Sequence, residues 1–174
     1  MNLKFDSMMK RIFTLCVAMM AVFSLSAADG LDLRELIDLL NRNTYKEVND
    51  YLVTRGWNFY SSKTGSITWE RGTHAADGHW TLCSVLKDRD MDYPSGIGYA
   101  TTDLQLYLKI YQTLEANGFV VASTSVQNDN MCFYYESDKY LLSVCSMAQP
   151  NESGMRVATY KFVLNAKQKT AEGQ

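Results

Sequence analysis

Few residues in this chain have the types and spacing needed for metal or nucleophilic chemistry. The two histidines, His74 and His79, lie in one predicted hairpin loop with Asp77 between them. A zinc site needs three or four ligands, so this loop would have to recruit others from elsewhere in the chain. A solvated hairpin loop is the simpler interpretation.

Three carboxylates alternate further along the chain, at Asp88, Asp90 and Asp92. Alternating carboxylates begin the calcium loop of an EF-hand, whose ligands are hard oxygens. The pattern then departs from that loop, because Tyr93 stands where the glycine belongs and Tyr99 where the bidentate glutamate belongs. A looser surface calcium site and a charged hairpin tip both remain open.

Enzymatic chemistry has little support in the sequence. There is no Gly-x-Ser-x-Gly motif and no phosphate-binding glycine loop, and no carboxylate pair is recognisable from its spacing. Nucleophilic catalysis needs a base beside the nucleophile. Cys83 and Cys145 lie in the interior of predicted strands, where a thiol usually packs, and a Cys/His pair with His79 is the alternative left open. The sequence predicts a protein that is not an enzyme and needs no cofactor.

Three cysteines follow residue 28, and two of them could form a disulfide. Cys83, Cys132 and Cys145 show no metal-binding spacing, so buried thiols and one Cys132–Cys145 bridge are the alternatives. If Asp138-Lys139 forms a two-residue loop, the latter two cysteines lie directly opposite each other. If Ser137-Asp138 forms the loop, they are diagonal neighbours, so the bridge depends on the strand register.

The N-terminal segment has the three parts of a secretory signal peptide. Lys10 and Arg11 precede an uncharged apolar run, Ile12 to Leu25, and small residues follow at Ser26-Ala27-Ala28. The run is too short to span a bilayer as a helix. We predict that residues 1–28 are removed by cleavage after Ala28, rather than after Ala27, which would put Leu25 at the −3 position. We also predict that the chain is exported, to the periplasm or outside the cell.

Two details of the segment bear on its extent and processing. Translation could begin at Met8 or Met9, and Cys16 lies inside the apolar run, where lipidation is not expected.

Removal of that segment changes what the composition implies. The removed part carries three cationic residues and one carboxylate, so the net charge falls from −2 to −4. An acidic chain is not typical of nucleic-acid binding. No second long apolar run follows, so the mature chain is predicted to have no membrane span.

Three helices are predicted from capping residues, apolar periodicity and closing glycines. The leading helix lies within residues 29–42 and is capped by Asp32. The second begins at Thr44 and ends at Gly56, and the third runs from about Asp103 to Asn117. The apolar positions assigned to their inner faces are Leu33, Leu36, Ile37 and Leu40, then Val48, Tyr51 and Leu52, and then Leu104, Tyr107, Leu108, Tyr111 and Leu114.

Eight strands are predicted from alternating runs separated by short turns, which favour antiparallel hairpins. They are 57–61, 66–71, 80–86, 96–101, 119–125, 131–136, 140–147 and 156–164.

Two sequence matches at an offset of about 62 residues predict an internal repeat. The first aligns Tyr51–Phe59 with Thr113–Val121, and the second aligns Trp80–Val85 with Leu142–Met147. We therefore predict an α+β fold in which a helix followed by a four-stranded antiparallel sheet occurs twice. The repeats would occupy residues 43–101 and 102–166, with a flexible tail at 167–174.

One face of each predicted sheet would pack on its helix, and the other would face solvent or a partner. Tyrosines are numerous, at eleven, so some must lie on that uncovered face. We assign Tyr134, Thr81, Ser143 and Glu70 to it, as residues that bind a protein or glycan partner. An ordinary hydrated sheet surface is the alternative for each of them.

The mature chain resembles uncharacterised secreted bacterial proteins of similar size, over roughly Leu31 to Phe162. The resemblance rests on Gly56-Trp57 after a helix and on Ile97-Gly98-Tyr99 before the next helix, and it implies no activity. The doubled plan is also similar in outline to the beta-lactamase inhibitory proteins, which grip a partner with an open sheet face. These patterns together favour a non-catalytic binding or inhibitory module. A structural or assembly component of the cell envelope is the alternative, and a hydrolase with an unrecognised site is a weaker one.

Overall fold

The structure is a computed structural model that describes residues 30–72, 80–87, 93–127, 130–150, 154 and 156–167. The predicted signal peptide, the predicted hairpin loop with His74 and His79, the aspartates at 88, 90 and 92, and all but the first residue of the predicted tail lie outside the described residues. Within them the fold is α+β, with three α-helices on an eight-stranded antiparallel sheet.

The helices are α1 (Leu33–Leu40), α2 (Tyr45–Thr54) and α3 (Leu104–Tyr111), and a 3₁₀ turn spans Glu115–Asn117. The strands are β1 (Asn58–Lys63), β2 (Ser66–Arg71), β3 (Thr81–Lys87), β4 (Pro94–Thr101), β5 (Val120–Gln127), β6 (Asn130–Glu136), β7 (Tyr140–Pro150) and β8 (Arg156–Ala166). Each strand lies within three residues of the bounds predicted from the sequence.

The two predicted four-stranded sheets are one continuous sheet. Its order is β1-β2-β3-β4-β8-β7-β6-β5, so two meanders join where β4 pairs with β8. Tyr99 lies opposite Phe162 at this junction, and both side chains are fully buried. The junction forms because β4 and β8 each carry apolar residues that neither meander could bury alone.

All three helices pack on the same face of the sheet. α1 contacts the two central strands, β4 and β8, whereas α2 contacts β1 and α3 contacts β4. Between helices and sheet lies one core, whose largest members are fully buried. These include Trp57, Trp69, Tyr99, Phe162, Leu36, Leu39, Leu52, Ile97 and Ile110.

Local side-chain hydrogen bonds set where the helices begin. At α1, Asp32 accepts from the Glu35 amide at 2.9 Å, and Glu35 accepts from the Asp32 amide at 2.7 Å, which completes a capping box. At α2, Thr44 accepts from the Glu47 amide at 3.2 Å. The Glu47 carboxylate accepts from the Asn43 amide instead, so only half of a capping box forms there.

The apolar face predicted for α3 was partly wrong. Leu106 and Ile110 are its buried residues, whereas Leu104 is 47% exposed and Tyr111 38% exposed. The sequence of this helix is apolar on nearly every side, so periodicity alone could not select the face that meets the sheet. The helix also ends earlier than predicted, and a 3₁₀ turn continues the chain to Gly118.

The two halves of the sheet share local features at an offset of 62 residues. Gly56 and Gly118 adopt positive φ values of 79° and 77°, and the amides that follow them bond to the carbonyls of Leu52 and Leu114. A β-bulge then interrupts each edge strand, one between Phe59 and Ser61 and the other between Val121 and Ser123.

The second sequence match, Trp80–Val85 with Leu142–Met147, was wrong in register. Cys83 points into the core from β3, whereas Leu142 and Val144 occupy the core side of β7, so Cys145 points to the opposite face. Trp69 and Tyr135 are equivalent, because each pairs with the bulged edge strand of its own half of the sheet. On their other sides, Trp69 pairs with Cys83 and Tyr135 pairs with Leu142. Leu142, rather than Cys145, is therefore the residue equivalent to Cys83.

Candidate binding surface

In the described part of the chain, no helix covers the sheet face opposite α1, α2 and α3. We call it the open face. Strand register carries one continuous row of residues across its middle, through all eight strands. That central row is Ser61, Thr68, Ser84, Gly98, Val163, Ser143, Tyr134 and Ser123.

Six of the eight residues in the central row carry a hydroxyl group. Thr68 and Ser84 hydrogen-bond to each other at 3.0 Å across β2 and β3. Gly98 lies next to Ser84, and a β-carbon at Gly98 would make only ordinary contact with it, at 3.5 Å. Because both donors and acceptors line the row, it can bind polar groups of either kind.

Two further rows flank the central one and add charge and apolar area. The first is Asn58, Glu70, Leu82, Ala100, Lys161, Cys145, Cys132 and Ser125, and the second is Lys63, Ser66, Leu86, Gly96, Asn165, Leu141, Glu136 and Val120. Leu141 is 45% exposed. Glu136 forms an ion pair with Lys167 at 3.3 Å.

Three of the four residues predicted for the partner surface lie on the open face. Tyr134 and Ser143 are direct cross-strand neighbours in the central row. Glu70 lies in a flanking row on β2, four strand spacings from β7, which is about 19 Å at the usual spacing. A single partner would therefore have to be large to contact all three.

The assignment of Thr81 to this surface was wrong. Thr81 is 7% exposed and points to the helix side of β3, where its hydroxyl lies 3.0 Å from that of Thr101. The two residues are directly paired across β3 and β4, so each satisfies the other in the core. The open-face residues of β3 are instead Leu82, Ser84 and Leu86.

A disulfide joins Cys132 and Cys145 on the open face. The Ser137 amide bonds to the Tyr140 carbonyl at 3.0 Å, so Asp138-Lys139 is the hairpin loop. Of the two registers considered from the sequence, this is the one that places the cysteines directly opposite each other. The bridge ties the β6–β7 hairpin beside Tyr134 and Ser143 and holds that end of the surface rigid.

Cys83 is the free cysteine among the described residues, and its surroundings oppose reactivity. It is fully buried between Trp69 and Tyr99 on the neighbouring strands. Burial raises the pKa of its thiol to about 12. A thiolate is the reactive form of cysteine, so this side chain is a packing residue in the folded protein.

No cluster of three or more histidine, cysteine, aspartate or glutamate side chains is placed to hold a metal ion within the part of the chain that the structure describes. The same residues contain no helix with the length and apolar character needed to cross a bilayer.

A groove on the helix side, which the sequence patterns did not reveal, lies beside edge strand β5. It encloses about 450 Å³ and is lined mainly by Tyr111, Leu114, Phe119, Val121 and Tyr135. Burial raises the pKa of Tyr135 above the usual value for a tyrosine, so the phenol in this groove stays neutral to a higher pH than an exposed one. In the sequence, the adjacent valines Val120 and Val121 at the start of β5 are the signal that could have indicated this groove. Both are more than half exposed in the structure.

A smaller hollow of about 250 Å³ lies at the end of the sheet near α3. Gly30, Trp80, Thr81, Asp103 and Leu106 are among the residues that line it. Asp103 already caps α3 by accepting from the Gln105 amide at 2.7 Å, so this hollow contains a structural carboxylate.

Comparison with known proteins found no match: no protein-family model, no curated protein and no solved structure is significantly similar to this chain.

Proposed function

We propose that this protein is an exported, non-catalytic binding or inhibitory module that grips a protein partner with the open face. The observation that supports this most strongly is the hydroxyl-rich central row, which continues across all eight strands on the side away from the helices. A single sheet with all its helices on one face presents a broad, stiff surface on the other.

The size of the open face favours a protein partner over a glycan. Eight strands at a spacing of about 4.8 Å and a height of about 20 Å present roughly 700 Å². A standard protein interface buries about 800 Å² on each partner. Small ligands and short sugars instead bind in concave pockets, and the two described hollows lie on the helix side and at the sheet end.

The proposal is tested by placing one bulky cation at the centre of the open face. We expect Ser143→Arg to abolish capture of the partner from extracts of the cell envelope and culture medium of the source organism. Gln105→Arg is the matched control, because it introduces the same side chain at an exposed position of α3 on the other side of the sheet. Capture by the control variant and the wild type should be equal.

Two results would contradict the proposal. One is a partner that Ser143→Arg and Gln105→Arg retain equally well. The other is measurable turnover of a substrate together with failure to enrich any partner. If the wild-type protein bound an immobilised set of glycans and Ser143→Arg did not, the open face would be a glycan-binding surface rather than a protein-binding one.

Export is part of the same proposal. The Cys132–Cys145 bridge fits an oxidising compartment, where disulfides persist. Mass spectrometry of secreted protein should find Asp29 at its N-terminus. In the uncleaved precursor, peptides from Asn2 to Ser7 would show that translation starts before Met8.

We also infer that the two halves arose by duplication of a helix and four strands. The shared glycine conformations, amide–carbonyl bonds and edge bulges at a constant offset of 62 residues support this. A structural or assembly role in the cell envelope is the second candidate function. Self-association through the edge of the sheet would support it.

A further inference from the structure

Strand β5 ends the sheet and has no partner strand on its outer side among the described residues. The direction of its backbone groups follows from the disulfide. Cys132 and Cys145 have Cα atoms 4.1 Å apart, the spacing of a non-hydrogen-bonded pair. Cys132 therefore bonds to Ser125 on β5, and the alternation leaves the N–H and C=O groups of Thr124 and Val126 pointing outward.

This edge lacks the usual protection against strand addition. Exposed edges commonly carry a charge, above all a lysine. The sequence of β5, Val-Val-Ala-Ser-Thr-Ser-Val-Gln, has none, whereas the opposite edge, β1, ends in Lys63. Val126 is 69% exposed and Val121 56% exposed, so apolar side chains line the outer strand. The bulge between Val121 and Ser123 affects only its first half.

The two ends of β5 are complementary to each other. The groove lined by Tyr111, Leu114 and Tyr135 lies beside Val121 at the start of the strand. Val126, the most exposed of the large apolar side chains that the structure describes, lies at the other end and points to the same side of the sheet. When two such strands pair antiparallel, the end of each meets the start of the other.

We propose that two copies of this chain pair through β5 and join their sheets into one of sixteen strands. A two-fold axis passes near Thr124, so Val126 of each copy lies opposite Ala122 of the other, next to Val121 and over the groove. The contact is isologous, as a closed two-fold dimer requires. Because β5 has no charged residue, pairing it with itself opposes no like charges, and no second protein is needed to explain the surface.

Thr124→Cys tests the geometry of the proposed dimer. The two copies of residue 124 would face each other across the axis with Cα atoms about 5.5 Å apart, a distance that a disulfide spans. We expect an intermolecular bond under mild oxidation. Ser62→Cys is the matched control, because Ser62 is exposed and occupies the equivalent outward-facing position on β1. It should form no intermolecular disulfide under the same conditions, although it should still dimerise non-covalently through β5.

Val126→Glu tests the energetics of the proposed dimer by sedimentation of the otherwise unmodified mature chain. A glutamate would place a carboxylate in the contact, beside the Glu115 carboxylate that lines the groove, and should weaken dimerisation by roughly tenfold or more. Ser62→Glu should leave dimerisation unchanged. Val126 is exposed in the monomer, so the variant should fold normally, which a circular dichroism melt checks independently.

Several results would overturn the proposal. A wild-type chain that remains monomeric at its solubility limit would do so, as would a dimer broken by Ser62→Glu but not by Val126→Glu. Ser143→Arg on the open face should leave dimerisation intact. If that variant separated the dimer, the contact would be the open face rather than β5. If Ser143→Arg loses partner capture but still dimerises, the open face and β5 act independently, so the failure of one proposal can be told apart from the failure of the other.

Discussion

Removal of the Cys132–Cys145 bridge should produce a stability loss that can be calculated from the sequence separation of 13 residues. A disulfide stabilises mainly by restricting the unfolded chain, and for a closed loop of this length the expected contribution is about 3 kcal/mol. For a domain of this size, that loss should lower Tm by about 10 °C. The hairpin itself should persist, because Asp138-Lys139 closes it locally.

The assay is denaturant unfolding of the mature chain with and without reductant, compared with the double variant Cys132→Ala/Cys145→Ala. The variant should unfold at the same midpoint as the reduced wild type and should not respond to reductant. Alkylation in denaturant should label Cys83 alone before reduction and all three cysteines after it. Equal midpoints for oxidised and fully reduced wild type would refute the loop-entropy reasoning.

Three further predictions concern the core and the first helix. Gly30→Ala should destabilise the fold by about 1–3 kcal/mol, because its β-carbon would lie 2.7 Å from both δ-carbons of Leu106 and closer still to the Tyr99 hydroxyl; a thermal melt unchanged from wild type would contradict this. Asp32→Ala should cost about 1 kcal/mol by removing the side-chain cap, whereas Asp32→Asn should restore most of it if capping is the cause. Burial raises the pKa of Cys83 from 9.0 to about 12, so its contribution to stability is full below pH 9 and is lost as pH rises toward 12. The slope of unfolding free energy against pH in that range should be smaller in Cys83→Ala, and an identical slope would exclude the thiol as its source.

Local chemistry could be predicted where neighbouring residues decide it. The capping box at Asp32 and Glu35 depends on two side chains three residues apart, and it formed as expected. The eight strands followed from short alternating runs separated by turns. Gly118 adopts the positive φ of a helix stop, as predicted, because glycine has no β-carbon and takes this conformation without the strain that an L side chain would cause.

The residues of the open face could be predicted only in part. Tyr134, Ser143 and Glu70 were assigned to the uncovered side of the sheet, and they lie there. Thr81 was assigned to the wrong side because the two faces of β3 have the same composition. The core side carries one hydroxyl-bearing residue and two apolar residues, and so does the open side. Alternation tells which residues share a face, but a strand with balanced faces does not tell which face is covered.

The sequence by itself determined the helices, the strands and the turn chemistry, since these depend on contacts within a few residues. Only the tertiary structure decided that the two meanders form one sheet, because the β4–β8 pairing joins residues 59 to 69 positions apart. It also decided the position of α1 over that junction, the buried face of α3 and the groove beside β5. Each of these results from the burial of distant apolar surfaces against one another, which no local pattern specifies.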